Sequence, residues 1–419
     1  MKTTSVQAPP STTERDILIV GGGIFGAAIA FALGQRGLGE RVLLLERHQL
    51  AHAATSRAAA LVTLVRDKKH FIPLVQETYR AIETLRADFA EDVGLHRVGA
   101  LHVASGATGE TLRQLAARCA GHGITNEALT PAEAVDSAPW LDANAFDTAL
   151  FFPQESYVEP YLLCTAFARA AFQMGVKQRL DADVRHIRVD AQQITGVELA
   201  DGTFLPARIV INAAGAWGGL LCAELGAHLP MAPVRSQYWI TQTDALFPRD
   251  SPIVLLPEIR AYARPEVGAL LFGVRESDTA VADPRQLPAN LAGFVFDAND
   301  ADGWNNLAEG AEQLRRFFPA IDRIGIAHYI TGPSNYTPDG NLVLGGIDGI
   351  DGLFVATGCN GAGIAVSGGV GRLIAELVAG QSTFVDPAPH RPQRHGSFDP
   401  FAPEFLRLCA DARSRKTSG

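Results

Sequence analysis

The stretch Ile17-Leu-Ile-Val-Gly-Gly-Gly-Ile-Phe-Gly26, continuing Ala-Ala-Ile-Ala-Phe-Ala-Leu-Gly34, contains no charged side chain. A run of that length approaches what a membrane-spanning helix needs. Its internal order points elsewhere: Ile17 to Val20 is a largely β-branched, strand-like run, Gly21-Gly22-Gly23 breaks any helix, and Ile24 to Gln35 is an alanine-rich helical run. Strand, glycine turn and helix in that order match the Gly-x-Gly-x-x-Gly pattern of dinucleotide sites, carried by Gly21, Gly23 and Gly26. The first glycine permits the tight turn, the second lets a pyrophosphate approach the backbone, and the third lets helix and strand pack closely. The helix amino terminus then turns N–H groups and the positive end of its dipole toward the phosphates. Arg41-Val-Leu-Leu-Leu-Glu46 supplies a second short strand ending in a carboxylate, where such a site needs an acceptor for ribose hydroxyls.

The chain has 419 residues, 47% of them hydrophobic, enough for two domains or one elaborate one. The balance of 36 basic against 45 acidic residues, net charge −9, argues against a nucleic-acid partner. Cys119, Cys164, Cys222, Cys359 and Cys409 show no Cys-x-x-Cys spacing, so neither a metal site nor a disulfide framework is expected, and buried thiols in a cytoplasmic protein are. Residues 1–14 are polar and rich in Pro, Thr and Ser, without the apolar core of a signal peptide, and are expected to be a disordered lead.

Further along, Phe71 to Val93 and Tyr161 to Met174 have helical apolar spacing, Val98 to Ala104 and Leu150 to Phe152 are strands, and Thr130-Pro-Ala-Glu133 is a capping-box start. Val184 to Ile211 alternates into three short strands with a turn at Asp201-Gly202. Ile253 to Val274 is strand-rich, with Arg264 to Gly268 as its turn. Gly352 to Gly358 is a buried strand, and Gly361-Ala-Gly363 introduces a helix from about Ile364 to Val378, a second strand–glycine–helix device. Two such devices aim two helix amino termini at one long ligand; tight helix packing is the plainer alternative for the second. His70, His102 and His328 are isolated and are expected to be structural.

Taken together, Gly21 to Glu46, Ile209-Val-Ile-Asn-Ala-Ala-Gly-Ala-Trp217, Tyr336-Thr-Pro-Asp-Gly340 and Gly358-Cys-Asn-Gly-Ala-Gly363 through Arg372 resemble the family of amino-acid and amine oxidoreductases typified by D-amino-acid oxidase, glycine oxidase, sarcosine oxidase and dimethylglycine dehydrogenase. The resemblance implies an α/β (α+β) fold: a Rossmann-like FAD-binding domain, discontinuous over residues 15–94, 150–226 and 325–385, and a mixed-sheet substrate domain over 95–149 and 227–324, with a tail at 386–419. It implies FAD on Gly21, Gly23, Gly26 and Glu46 for the ADP part, Val184 at adenine, Ser56, Arg57 and Ala58 at pyrophosphate and flavin, and Gly215, Trp217, Gly340, Gly361, Gly363 and Ile364 around the remainder. For Trp217 a core role, and for Arg57 a surface ion pair, stand as alternatives.

Within that family the nearest likeness is to dimethylglycine and sarcosine dehydrogenases, through Tyr262 to Gly273 and Thr331 to Gly340. The implied reaction is oxidation of the C–N bond of an N-methylated or secondary amino acid, to an imine that water hydrolyses. Oxygen or a carrier takes the electrons. The residues that tether flavin in several relatives are replaced here by Arg57 and Gly332, so FAD is expected to be noncovalent. The carboxylate-gripping arginine of D-amino-acid oxidases is missing near Ser334 or Asn335, and Leu271 stands where a lysine would activate oxygen. Arg264 is the expected carboxylate anchor, with Tyr262 and Tyr336 as hydroxyl and wall, and with Arg57, Arg66 or Arg275 as the alternative anchor should Arg264 prove dispensable. Rival readings are a D-amino-acid enzyme acting on primary amines and an FAD-binding subunit of a larger oligomer docking through Arg316 to Pro319 or Phe398 to Leu408. A tRNA-modifying enzyme is disfavoured by the acidic balance.

Overall fold

A computed structural model describes residues 15–416; the expected disordered lead at 1–14 lies outside the described residues. Ile17–Val20 is buried along its whole length and pairs in parallel with Val42–Leu45 on one side and Ile209–Asn212 on the other. A parallel strand covered on both faces reads as continuous apolar sequence, which is why this one is β-branched rather than alternating. Among the described residues nine strands form this sheet, Ile350–Thr357 joining beyond Ile209–Asn212 and Lys177–Arg179 beyond Val42–Leu45. The meander at Val184 to Ile211 contains four strands rather than three, because Ile209–Asn212 leaves it for the parallel centre.

The helix Ile24–Gly34 is buried on every side, between Pro160–Gln173 and Ser367–Val378. That explains its uniformly apolar sequence: it is a core helix. Among the described residues no helix is long and apolar enough to cross a membrane. The glycines of the second device divide in purpose. Gly361 and Gly363 line the cleft described below, whereas a Cβ on Gly371 would stand 2.5 Å from the Ala28 carbonyl oxygen and one on Gly368 2.7 Å from Thr78 Cα. Those last two are helix-packing residues.

Among the described residues a second, eight-stranded sheet runs Ile326–Tyr336, Ala232–Thr241, Ala269–Val274, Ala261–Glu266, Ile253–Leu256, Ala100–Ala104, Thr148–Phe152 and Glu127–Leu129. Two expected boundaries are corrected by it: Thr148–Phe152 and Ile326–Tyr336, read into the FAD-binding domain from residues 150 and 325, hydrogen-bond into the second sheet. Arg264 lies inside the strand Ala261–Glu266, and the turn is at Val267-Gly268. Within the two proposed docking segments Phe317 and Phe318 are core residues and Phe405 and Leu406 are buried against Ala232 and Val234, whereas Arg316, Pro319 and Leu408 are exposed.

Those last contacts also correct the view of residues 386–419 as a separate tail. The helix Pro403–Ser414 is docked by an apolar face and a buried ion-pair cluster, with Glu276 accepting from Arg413 Nη1 at 2.6 Å and from Arg235 Nε at 3.0 Å. Burial pushes the Glu276 carboxyl up, but Arg413 and Arg235 outweigh it and hold the group below the ordinary glutamate value. Removing one partner of a buried pair costs about 3–5 kcal/mol. Glu276→Gln is therefore expected to lower unfolding stability by about that amount in urea titrations. In the parent protein a depressed carboxyl contributes stability that is complete above the ordinary value of 4.5 and is lost as pH falls through the lower folded value. A variant whose urea midpoint at neutral pH matches the parent's would show the pair to be neutral.

Candidate active site

A long cleft opens at the carboxyl ends of the central parallel strands, in two lobes that share Gly23, Thr55, Ala213, Gly215, Ala216 and Pro333. The inner lobe starts at the first glycine turn. Gly21, at φ +108°, has a backbone that other residues rarely adopt, and a Cβ there would stand 2.5 Å from the Ala213 carbonyl oxygen. Glu46 steadies the turn, its Oε2 accepting from the Gly22 N–H at 2.7 Å and its Oε1 from the His48 N–H at 2.8 Å. A carboxylate has lone pairs beyond those two contacts. Val184 and Trp217 complete this lobe. The Arg47 guanidinium carbon lies 4.3 Å from the Trp217 ring, and Trp217 Nε1 and Arg47 Nε are buried without hydrogen-bond partners among the described residues.

The outer lobe passes Arg57 and Ala58 on one side and Gly361, Gly363 and Ile364 on the other, and reaches the second sheet at Tyr238, Tyr262 and Tyr336. Tyr262 lies across Gly273 of the neighbouring strand, where a Cβ would stand 2.5 Å from its hydroxyl. Its far wall carries Arg66, Arg275, Arg413 and Lys416. Arg66 Nε donates to the Thr63 carbonyl at 3.0 Å, and burial pushes its guanidinium down to about 10. Burial also lowers Arg275. Tyr262 and Tyr336 are pushed up by burial, against the opposing pull of Arg275 on the first and Arg413 on the second. Among the described residues this lobe is lined by no Asp, Glu or His.

Residues 16–377 match the family model described as FAD dependent oxidoreductase. This chain belongs to the DAO family. Mouse mitochondrial dimethylglycine dehydrogenase is 26% identical over 94% of this DAO-family chain and 46% of its own length, so the chain spans about half of that relative. Glycine oxidase from Geobacillus kaustophilus is 30% identical over 92% of the chain and 98% of its own length. The crystal structure of that enzyme superposes with a TM-score of 0.75 at 28% identity. L-proline dehydrogenase from P. horikoshii reaches 0.79 at 23% identity over 91% of this chain and 97% of that one, a likeness of fold.

FAD fits this DAO-family cleft on three observations: the glycine cradle at Gly21 to Gly23, the carboxylate of Glu46 at the end of its strand, and the partnerless Trp217 Nε1 inside the inner lobe. Of the residues expected at the cofactor, Gly21, Gly23, Glu46, Val184, Gly215, Trp217, Arg57, Ala58, Gly361, Gly363 and Ile364 lie on the cleft wall. Gly26 sits behind it, where any Cβ would overlap the Gly21 carbonyl oxygen. Ser56 is exposed and its hydroxyl donates to the His52 and Ala53 carbonyls; the wall position belongs to Thr55, whose Oγ1 accepts from the Ile24 N–H at 3.1 Å. Gly340 lines an adjoining third cavity, 3.1 Å from Lys68 Nζ as measured from an ideal Cβ.

The expected carboxylate anchor is also corrected. Tyr262 and Tyr336 stand on the outer wall, but Arg264 does not. Its guanidinium is committed to Glu266 at 2.6 Å, to the Ala59 carbonyl at 2.8 Å and to the face of Tyr157 at 4.5 Å. The cations that do line the lobe are Arg57, expected at the cofactor, Arg66 and Arg275, expected as alternative anchors, and Arg413 and Lys416, which were not among the expected site residues. For the last two a signal was present: Phe405, Leu406, Cys409, Ala410 and Arg413 recur at helical spacing, which marks a buried face.

Proposed function

We propose that this chain is an FAD-dependent enzyme that oxidises the C–N bond of a secondary or N-methylated amino acid, with FAD held noncovalently and the substrate carboxylate held by Arg275. The observation that carries this reading is the outer lobe itself, in which a buried cationic and tyrosine-rich wall faces the glycine-rich loop Gly361 to Gly363. FAD, when bound, supplies a hydride acceptor for the carbon next to nitrogen. The protein's share is placement. Arg275 presents a planar guanidinium suited to two-point contact with a carboxylate. Tyr238, Tyr262 and Tyr336 wall the lobe against water, and excluding water strengthens the charge contacts inside it.

Noncovalent binding is supported by the two positions at which relatives' tethers are replaced. A Cβ on Gly332 would stand 2.7 Å from Arg57 Cδ, so the two positions face each other, and neither residue is a nucleophile. Arg57 itself donates to the His52 and Ala53 carbonyls, both at 2.9 Å, and to Leu291 at 3.2 Å. Acid precipitation of the yellow protein should leave flavin in the supernatant; colour on the pellet would disprove this part.

Dye-coupled turnover of sarcosine, N,N-dimethylglycine and L-proline against D-alanine tests the substrate class. At least one of the first three is expected to be oxidised faster than D-alanine. The reverse order would replace this reading with one for primary amines.

A further inference from the structure

We propose that Lys416 takes the proton that a substrate ammonium must lose before the neighbouring carbon can give up hydride. The inference rests on the amine-oxidation reading above. Docking of the helix Pro403–Ser414 brings Lys416 to a wall shared by the outer lobe and the adjoining third cavity, where its Nζ donates to the Asn360 carbonyl at 2.9 Å. Next to that carbonyl is Gly361, whose ideal Cβ would stand 3.6 Å from Lys416 Nζ and 2.5 Å from the Tyr336 hydroxyl. A side chain at 361 would fill the space through which the amine meets the lobe.

The groups facing Lys416 come from several elements. Arg66 and Arg275 approach from the loop after Leu61–Val62 and the end of Ala269–Val274, Arg413 from its own helix, and Tyr262, Tyr336 and Cys359 from the second sheet and the glycine-rich loop. The third cavity adds Asp67, Lys68, Asp339 and Arg415. Burial, then the charges of Arg275, Arg66 and Arg413, push the Lys416 ammonium well below the ordinary lysine value, with Cys359 opposing. A neutral amine gives one N–H to Asn360 and keeps a lone pair. The tyrosines and arginines of the wall are poor proton acceptors. Tyr262 and Tyr336 are pushed up by burial, arginines stay charged, and the Cys359 thiol contacts Ser334 Oγ at 3.2 Å and the Asn335 carbonyl at 3.8 Å.

In this step the substrate N–H bond breaks and a bond from that proton to Nζ forms. The substrate becomes a neutral amine, Lys416 becomes an ammonium, and no electrons leave either. Because Lys416 lines both cavities, it then returns the proton to water on the third-cavity side.

Two measurements test this on the FAD-loaded protein. In the first, lysine carbon-13 labelling gives an NMR signal that Lys416→Met removes; that signal should titrate well below those of the other lysines, as burial and the neighbouring arginines dictate. A signal that stays in the charged position until the other lysines titrate overturns the inference, and needs no substrate to do so. In the second, kcat/KM is followed against pH with the best substrate of the panel. Lys416→Met should lose about 10²- to 10⁴-fold near neutrality, as expected for a missing general base, and recover as pH rises toward the substrate's own amine value or as methylamine is added. Lys416→Arg, which carries a fixed charge and cannot accept a proton, should show the same loss. A Lys416→Arg enzyme with parental rates, or a Lys416→Met loss equal at every pH and untouched by methylamine, overturns it. Failure of every secondary amine to turn over would instead overturn the underlying substrate reading.

Discussion

Gly23→Val is expected to give a folded protein that carries no FAD. Gly23 lines both lobes, its φ of −76° suits any residue, and an added Cβ would meet Thr55 Oγ1 at 3.3 Å. The Thr55 hydroxyl, which accepts from the Ile24 N–H, has to give way by a few tenths of an ångström, and the branched side chain projects into the cleft, where it holds a pyrophosphate away from the first-turn N–H groups. Hydrogen bonds to a charged partner are worth about 1.5–3 kcal/mol each, so losing two weakens binding by roughly 10²- to 10⁴-fold. Gly26→Val makes the contrast, because its Cβ falls on the Gly21 carbonyl oxygen and should cost the fold as well. Flavin fluorescence of the denatured protein, with circular dichroism of the native one, separates the two outcomes. A yellow Gly23→Val protein would move the phosphate site away from the first turn.

Arg275→Ala is expected to lower kcat/KM by roughly 10²- to 10⁴-fold while leaving FAD content unchanged, since uncovering a buried charge costs about 3–5 kcal/mol and each 1.36 kcal/mol is tenfold in rate. Arg275→Lys should recover part of the loss, because an ammonium cannot repeat the planar contact. Arg264→Ala should behave differently. Removing it strands Glu266 and uncovers Tyr157, so its effect belongs in stability, with KM for the amine unchanged. If Arg264→Ala raises KM and Arg275→Ala does not, the anchor has been placed on the wrong strand.

The parallel half of the molecule was legible because its signals are local. A strand, a glycine turn and a helix within residues 17–34 need one another sterically, Gly26 meeting the Gly21 carbonyl across the turn, although Gly21 itself answers the distant Ala213 carbonyl. The substrate half was legible in type but not in aim. Tyr262 and Arg264, two apart on one strand, share a face of the sheet by alternation. Alternation does not say which part of that face the cleft covers, and here the cleft reaches Tyr262 while Arg264 runs beneath Tyr157. An unused sign was Gly273, a glycine inside an apolar strand, which marks where the Tyr262 ring lies across its neighbour. The spacing within residues 403–416 marked a buried face but not where that face docks. Their docking depends on Arg413 meeting Glu276, a contact between residues 137 apart, which no local pattern encodes.

The most direct test of the account is anaerobic mixing of the FAD-loaded protein with sarcosine, N,N-dimethylglycine, L-proline and D-alanine, following loss of the flavin's visible absorbance against pH. The account predicts that at least one of the first three bleaches the flavin, faster as pH rises through neutrality, that D-alanine does so poorly, and that Arg275→Ala raises the amine concentration needed. Rapid bleaching by D-alanine with none by any secondary or N-methylated amine would contradict it.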